Sequence, residues 1–173
     1  MSCNSLQNAL SSELILHARD IVTVKQLLLN GADVNYQSDE GWCLLFEFIS
    51  LDLDQHILSL EEFSLNTDVK DGKGRSALFW AIHHESAKVM NALLQLGCDV
   101  SELVMDGLPA LHYAVYKSNA KIVNVLLEKG ADIESHDMHK NTALSYAYLY
   151  KKEEMITLLK QRGACTANLD YNM

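Results

Sequence analysis

The stretch GLPALHYAVYKSNAKIVNVLLEKGADIE, residues 107–134, has the pattern of one complete helical hairpin. Gly107 opens it in a turn, and Pro109 stands near a helix start, where its fixed φ and missing N–H cost little. A first helix over 110–117 precedes a second helix with apolar residues at helical spacing, which Gly130 closes as a left-handed C-cap. Two helices this short cannot bury their apolar faces alone, so the hairpin needs copies of itself on both sides.

The copies are present at a fixed period of 33 residues, without insertion or deletion. The recurring markers are an opening position, a leucine and a small alanine: Gly41, Gly74, Gly107 and Lys140; Leu45, Leu78, Leu111 and Leu144; Ala81, Ala114 and Ala147. The closing glycines keep the same frame, with Ser64 in the missing place: Gly31, Gly97, Gly130 and Gly163. A fixed period of this length is the signature of a repeat solenoid.

This pattern resembles the ankyrin repeat, in which a turn motif G-x-T-P-L-H-x-A precedes a second helix that ends in L-L-x-x-G-A-D-V-N. The matching stretches are GRSALFWA, GLPALHYA and KNTALSYA, followed by VKQLLLNGADVN, VMNALLQLGCDV, IVNVLLEKGADIE and MITLLKQRGAC. The resemblance covers about residues 8–165. It implies an all-α fold, an ankyrin-repeat solenoid of helix–turn–helix units with short β-turn fingers.

The frame divides the chain, taken as a single domain over 1–173, into five repeats at about 8–40, 41–73, 74–106, 107–139 and 140–165. We expect the first and last repeats to act as caps, because the first lacks the turn motif and the last has a polar second helix. Repeat 2 departs most from the pattern. Glu61 stands where a buried leucine is expected and Ser64 where glycine would tolerate positive φ, so the turn there is expected to differ in shape.

The net charge of −9 lies entirely in the N-terminal part of the chain. Residues 1–69 hold eleven acidic and two basic side chains, whereas residues 70–173 hold twelve of each. The acidic part either solubilises the protein or attracts a basic segment of a partner protein, since complementary charge accelerates encounter. Binding of nucleic acid is not expected there, because phosphate contacts need a basic stripe.

Composition also argues against membrane and secreted proteins. No apolar run is long enough to span a bilayer, and the start of the chain lacks a signal-peptide pattern. The cysteines show no paired metal or redox spacing, which favours free thiols in a reducing compartment: Cys3, Cys43, Cys98 and Cys165. A cytoplasmic protein is therefore expected, with the nucleus or a host-cell cytoplasm as alternatives.

No sequence signature of catalysis is found. Phosphate loops, nucleophile elbows and HExxH pairs are absent, and no Cys or carboxylate cluster joins the seven histidines at zinc-like spacing. His83 and His84 point about 100° apart on a helix, and the resemblance makes His112 the histidine that hydrogen-bonds neighbouring backbone. No metal, cofactor or catalytic residue is predicted, and the protein is not expected to be an enzyme.

In ankyrin folds, partners usually contact the turn tips and the exposed, concave face of the first helix in each repeat. The 33-residue period identifies the equivalent positions in this chain. They are the predicted partner-binding residues: Asp39, Glu40, Trp42, Leu51, Arg75, His83, His84, Leu103, Met105, Leu108, Tyr116, Met138, His139, Leu149 and Tyr150. Many of these are large and apolar, and exposed apolar area of this kind marks an interface. The alternative is that several of them pack between repeats.

The sequence therefore predicts a monomeric, non-catalytic module that binds another protein. An alternative is a structural or assembly subunit of a larger complex. Small stand-alone ankyrin proteins also include viral imitators of the inhibitors of NF-κB/Rel factors, bacterial effectors that target host signalling, and cyclin-kinase inhibitors. The acidic first repeats would suit a basic nuclear-localisation segment, which favours the Rel-directed group.

One candidate modification site lies in repeat 1. Asn35 stands in a sequence that resembles the one accepted by asparaginyl hydroxylases in ankyrin repeats. The simpler interpretation makes Asn35 the hairpin residue of its turn.

Overall fold

The computed structural model describes residues 3–166, with side chains from Leu6 onward. Ten α-helices lie in this range: α1 Cys3–Leu16, α2 Ile21–Leu29, α3 Leu44–Ser50, α4 Asp54–Leu58, α5 Ala77–His83, α6 Ala87–Gln95, α7 Ala110–Tyr116, α8 Ala120–Glu128, α9 Ala143–Leu149 and α10 Glu153–Gln161. They pack as consecutive pairs, and each pair occupies one 33-residue repeat. The all-α prediction is confirmed.

Several helices begin where the sequence supplies a side-chain cap. Ser76 and Thr142 accept hydrogen bonds from the N–H groups of Phe79 and Ser145, at 3.2 Å in both cases, and so start α5 and α9. The C-terminal end of α8 is followed by Gly130 at a φ of +94°, as its left-handed C-cap requires.

Short fingers connect the repeats, as the resemblance implies. One finger is a two-stranded antiparallel sheet of β1 Leu103–Met105 and β2 Leu108–Pro109. The Ser76 N–H of the preceding finger donates to the Val104 carbonyl at 3.0 Å. Neighbouring fingers are therefore bonded to one another as well as internally.

The core lies between two rows of stacked helices. The first helices α3, α5, α7 and α9 form one row, and the second helices α4, α6, α8 and α10 form the other. The phased leucines and alanines of the sequence pattern fill the space between them and are buried, as Leu78 and Ala81 illustrate. This arrangement leaves the fingers and one side of the first row exposed.

Repeat 2 departs from the others, as its sequence predicted. Helix α4 has only five residues, and a 3-10 helix, Glu61–Phe63, follows it. Glu61 is exposed, because a carboxylate cannot occupy the apolar position that leucine fills elsewhere without a large desolvation cost. Ser64 nevertheless takes the left-handed backbone of the missing glycine, with φ 55° and ψ 47°.

The N-terminal repeat differs from its expected start. Helix α1 begins at Cys3, ahead of the predicted boundary near residue 8, and has fourteen residues where α3 has seven. Leu16 is 80% exposed, whereas the equivalent Ile49 and Ile82 are fully buried. No helix in residues 3–166 is both long and apolar enough to cross a bilayer.

Candidate protein-binding surface

The finger tips and the outward side of α3, α5, α7 and α9 form one continuous surface, which we call the finger face. None of the fifteen predicted partner-binding residues is buried. The exposed ones are Asp39, Glu40, His83, His84, Leu103, Tyr116, Met138, His139, Leu149 and Tyr150. The half-buried ones are Trp42, Leu51, Arg75, Met105 and Leu108.

Two crevices between neighbouring fingers collect many of these residues. The first crevice is lined by Asp39, Glu40, Trp42, Asp71, Gly72, Lys73 and Arg75. The second crevice is lined by Met105, Asp106, Gly107, Leu108, Asp137, Met138, His139 and Tyr146. The first crevice is thus rich in charge, whereas the second exposes mainly apolar side chains.

Leu51, Leu103 and Leu149 line neither crevice. Leu51 packs against the hydrophobic core, and so do the half-buried Trp42, Met105 and Leu108, as the alternative interpretation of the pattern expected for some residues. Leu103 and Leu149 are exposed on β1 and at the end of α9.

A chain of aromatic contacts runs along the finger face and just beneath it through repeats 2 to 5, with Phe79 and Tyr113 buried. The Trp42 and Trp80 rings meet edge to face at 5.2 Å, and Phe79 stacks on Tyr113 at 4.7 Å. Tyr116, which is 45% exposed, meets the Tyr150 ring at 5.0 Å in the last repeat. Phe79 and Trp80 lie 5.6 Å apart, and Tyr113 and Tyr116 6.3 Å apart, so the series is continuous.

Phe79 was not predicted as part of this surface, and neither were three rings that share one position of the repeat, the third of which, Tyr146, lies 5.8 Å from Tyr150. Trp80, Tyr113 and Tyr146 occupy the same position of their repeats, six residues after the opening position. That position is variable in the ankyrin motif, so the 33-residue period does not mark it as a partner-binding position. The recurrence of an aromatic residue there in three successive repeats was the available signal.

In repeat 3 this position belongs to a bonded triad of Asp71, Arg75 and Trp80. The Asp71 carboxylate accepts hydrogen bonds from the Arg75 guanidinium at 2.7 Å and from the Trp80 indole at 3.2 Å. Burial alone would raise the pKa of Asp71, but the N–H donors of Arg75 and Lys73 and the guanidinium outweigh it and lower that pKa. The guanidinium also lies 4.3 Å from the Trp80 ring centre.

Repeat 5 builds the same triad from Asp137, Asn141 and Tyr146. The Asp137 carboxylate accepts from the Asn141 amide at 3.2 Å and from the Tyr146 hydroxyl at 2.9 Å. Burial again opposes ionisation, and the Asn141 donors again outweigh it, so the pKa of Asp137 is lowered. Burial and the neighbouring carboxylate raise the pKa of Tyr146 to about 12.

The two predicted histidine roles differ in the structure. His112 is fully buried, and its Nε2 donates to the Asn141 carbonyl at 2.8 Å, which confirms the expected backbone contact. Burial lowers its pKa. His83 is exposed on the finger face, where its Nδ1 lies 3.0 Å from the Tyr113 hydroxyl. Its pKa is lowered, first by the partial removal of water from around the ring and then by the positive charge of Lys117.

The fingers at the first crevice are held at close range by two glycines. The Gly72 N–H donates to the Glu40 carbonyl at 3.0 Å. A Cβ on Gly72 would lie 2.7 Å from that oxygen, and a Cβ on Gly41 would lie 2.5 Å from the Gly72 nitrogen. This part of the finger face is consequently built with little freedom to rearrange.

Within the described residues, no group of three or more His, Cys, Asp or Glu side chains is arranged to hold a metal ion. Cys43, Cys98 and Cys165 are free thiols, and the side chain of Cys3 lies outside the described part. Burial raises the pKa of Cys43, and it raises that of Cys98 to about 12. The two buried thiols are therefore poor nucleophiles.

Asn35 has a structural role in its turn. Its amide Nδ2 donates to the Ser64 carbonyl at 3.1 Å, and its Oδ1 accepts from the Asn66 N–H at 2.8 Å. The side chain thus ties repeat 1 to repeat 2. Its hydroxylation remains a prediction from the sequence.

A family model described as ankyrin repeats (3 copies) matches residues 14–104 and 97–170, which together span most of the chain. The chain belongs to the ankyrin-repeat family. No curated protein matches it. Ankyrin-repeat proteins are generally protein–protein interaction modules and are typically not enzymes.

Proposed function

We propose that this ankyrin-repeat protein is a non-catalytic module that holds a partner protein on its finger face, which is the concave side of the solenoid in this family. The observation that carries the proposal is the aromatic chain, which runs through four repeats and ends in the exposed Tyr116 and Tyr150. Aromatic side chains with a buried base and an exposed edge are the usual anchors of protein interfaces.

The rigidity of the fingers supports the same proposal. The bond between Glu40 and Gly72, and the triads of repeats 3 and 5, fix the surface before any partner arrives. A preorganised surface loses little conformational entropy on binding, so that more of the contact energy appears as affinity.

The acidic side chains of the first crevice indicate which kind of partner segment would bind there. Asp39 and Glu40 are exposed, and neither forms an ion pair with another described residue. We expect the partner to place a basic segment here, and its affinity should fall as salt is added. An affinity that does not respond to salt would contradict this part of the proposal.

The test is capture of the partner by paired variants. Tyr116→Ala with Leu149→Ala removes two exposed side chains from equivalent positions of the finger face. Val22→Ala with Leu29→Ala removes two exposed apolar side chains from α2, outside the finger face, and serves as the control. We expect the first pair to abolish capture while the protein stays folded, with a melting temperature lowered only by the loss of the Tyr116 ring contacts, and the control pair to bind as the wild type does. Equal capture by both pairs would show that the finger face is the wrong surface.

Trp42 is less suitable for this test. Its ring packs against Phe46 at 5.5 Å and against Trp80, so its truncation would lower stability as well as binding.

The alternatives make different predictions for the captured complex. A structural or assembly subunit would co-purify with its partner in fixed stoichiometry and without exchange, whereas a regulatory module would exchange. A Rel-directed host-targeting protein is the narrower form of the proposal, and it predicts capture of a Rel-family factor through its basic nuclear-localisation segment. We further propose a monomer that acts in the cytoplasm or nucleus, where its free thiols would remain reduced.

A further inference from the structure

The triad of repeat 3 shows how this surface binds a cation. The Arg75 guanidinium lies between a carboxylate, Asp71, and the face of an indole, Trp80. The carboxylate supplies charge-assisted hydrogen bonds and the ring supplies a cation–π contact. These two groups together form a binding site for a guanidinium or an ammonium, which in repeat 3 the protein fills itself.

Repeat 2 has the same two groups without a cation of its own. The Trp42 indole donates to the Glu47 carboxylate at 2.9 Å, and both side chains are half-buried. No described Lys or Arg forms an ion pair with Glu47. Lys73, which lines the first crevice together with Trp42, forms no ion pair with a described carboxylate. A half-buried carboxylate beside an indole is therefore left to be neutralised by a charge from outside.

Repeat 4 has an apolar version of the same three positions. Val104, Leu108 and Tyr113 replace the polar groups, and the second crevice lies beside them. Met138, which is 69% exposed, and the half-buried Met105 flank that crevice. Thioether side chains adapt their shape to an apolar guest, so this crevice suits an aliphatic side chain.

We propose that one extended segment of the partner protein occupies both places, with an Arg or Lys on the Glu47–Trp42 pair and an aliphatic side chain in the second crevice. The second crevice lies between the fingers of repeats 4 and 5, which places it between two and three repeats from Trp42. Packed helices lie about 8–10 Å apart, so the two places are separated by about 20–25 Å. An extended chain rises about 3.3 Å per residue, which sets the basic and the aliphatic residue about six to eight positions apart. This inference rests on the proposed function and specifies the chemistry of the partner.

The experiment is selection of random sixteen-residue peptides displayed on phage against the purified wild-type protein. The expected result is enrichment of peptides that carry Arg or Lys about six to eight positions from an aliphatic residue. The dissociation constant of a synthetic copy is then measured with Glu47→Gln, which keeps an acceptor for the Trp42 indole but removes the charge. We expect a loss of about tenfold or more, because charge-assisted hydrogen bonds are lost.

Two controls match the substitutions. Glu13→Gln makes the same change at an exposed carboxylate of α1 and should leave the affinity unchanged. Met138→Gln should weaken the same peptide about threefold to tenfold by adding a polar group to the apolar crevice, whereas Leu16→Gln at the exposed N-terminal end should not.

Enriched peptides without that spacing, or equal affinity for wild type and Glu47→Gln, would overturn the inference. So would the failure of any peptide to be enriched, because the inference requires that a linear segment suffices. None of these results decides the proposed function, which is tested separately by capture of a folded partner with the Tyr116 and Leu149 pair.

Discussion

The N–H of Gly72 donates to the carbonyl of Glu40 at 3.0 Å, and this bond joins two neighbouring fingers of the proposed binding surface. Gly41 lies directly against the same contact, with no room for a Cβ. Gly74, the equivalent residue of the next repeat, has nearly the same φ, +73° against +75°, but faces open space. An alanine at Gly74 would therefore report only the free-energy cost of the left-handed backbone. An alanine at Gly41 would report that cost together with the cost of the clash between the two fingers.

We predict that Gly41→Ala destabilises the protein more than Gly74→Ala does. Both alanines adopt a left-handed backbone at similar cost, but only the first meets the Gly72 backbone, which adds about 1–3 kcal/mol of overpacking. Urea unfolding followed by circular dichroism measures the difference. An equal loss of the free energy of unfolding in the two variants would contradict the prediction, because it would mean that the two fingers can move apart without destabilising the protein.

A second prediction concerns the triad of repeat 3. Asp71→Asn should lower the free energy of unfolding at pH 7 by about 1–3 kcal/mol, because the Arg75 guanidinium loses its charged partner. The folded-state pKa of Asp71 is lowered, so its contribution is present above the ordinary value of 3.8 and is lost as the pH falls through the folded-state pKa. Unfolding curves at a series of pH values should therefore converge for wild type and variant in acid.

Asp39→Asn is the control for this series, because Asp39 is exposed and forms no ion pair with a described residue. Its effect should stay within about 0.5 kcal/mol at every pH. A wild-type advantage over Asp71→Asn that persists unchanged at low pH would mean that packing, rather than the charge of Asp71, stabilises the finger.

The third prediction tests the strain in repeat 2. Ser64→Gly should raise the free energy of unfolding by about 0.5–1 kcal/mol, because Ser64 has a φ of 55° that glycine adopts without a Cβ penalty. Ser59→Gly, at a φ of −70°, makes the same change in right-handed backbone and should lower it by a similar amount. Thermal melts of the two variants should move in opposite directions, and a shift in the same direction would contradict the strain at Ser64.

The scaffold could be predicted from the sequence because its signal is repeated. Leu78, Leu111 and their equivalents recur in phase, and each recurrence strengthens the same helix-pair assignment. The early start of α1 at Cys3 carries no such signal, because a single end helix has no copy with which to compare it. The break after α4 could be anticipated, since Glu61 and Ser64 each violate the pattern.

The proposed binding surface was less predictable than the scaffold. The repeat period shows which residues occupy equivalent positions, but it does not show which side chains they contact. Tyr116 and Met138 lie on the finger face as expected, yet Leu51 packs on the core. Trp80 and Glu47 were missed, since their position is variable in the family motif. Trp42 was predicted, but its bond to Glu47, like that of Trp80 to Asp71, follows only from the way each finger folds onto its own helix.

The central claim is that the partner binds the finger face, and the two tryptophans of the chain report on it directly. Trp42 and Trp80 are the only tryptophans in the sequence, and both lie in the aromatic chain. Protein labelled with 5-fluorotryptophan should give two ¹⁹F NMR signals, which can be followed while the captured partner is added. The account predicts that both signals shift as the complex forms. A complex that forms by sedimentation while both signals stay in place would contradict it.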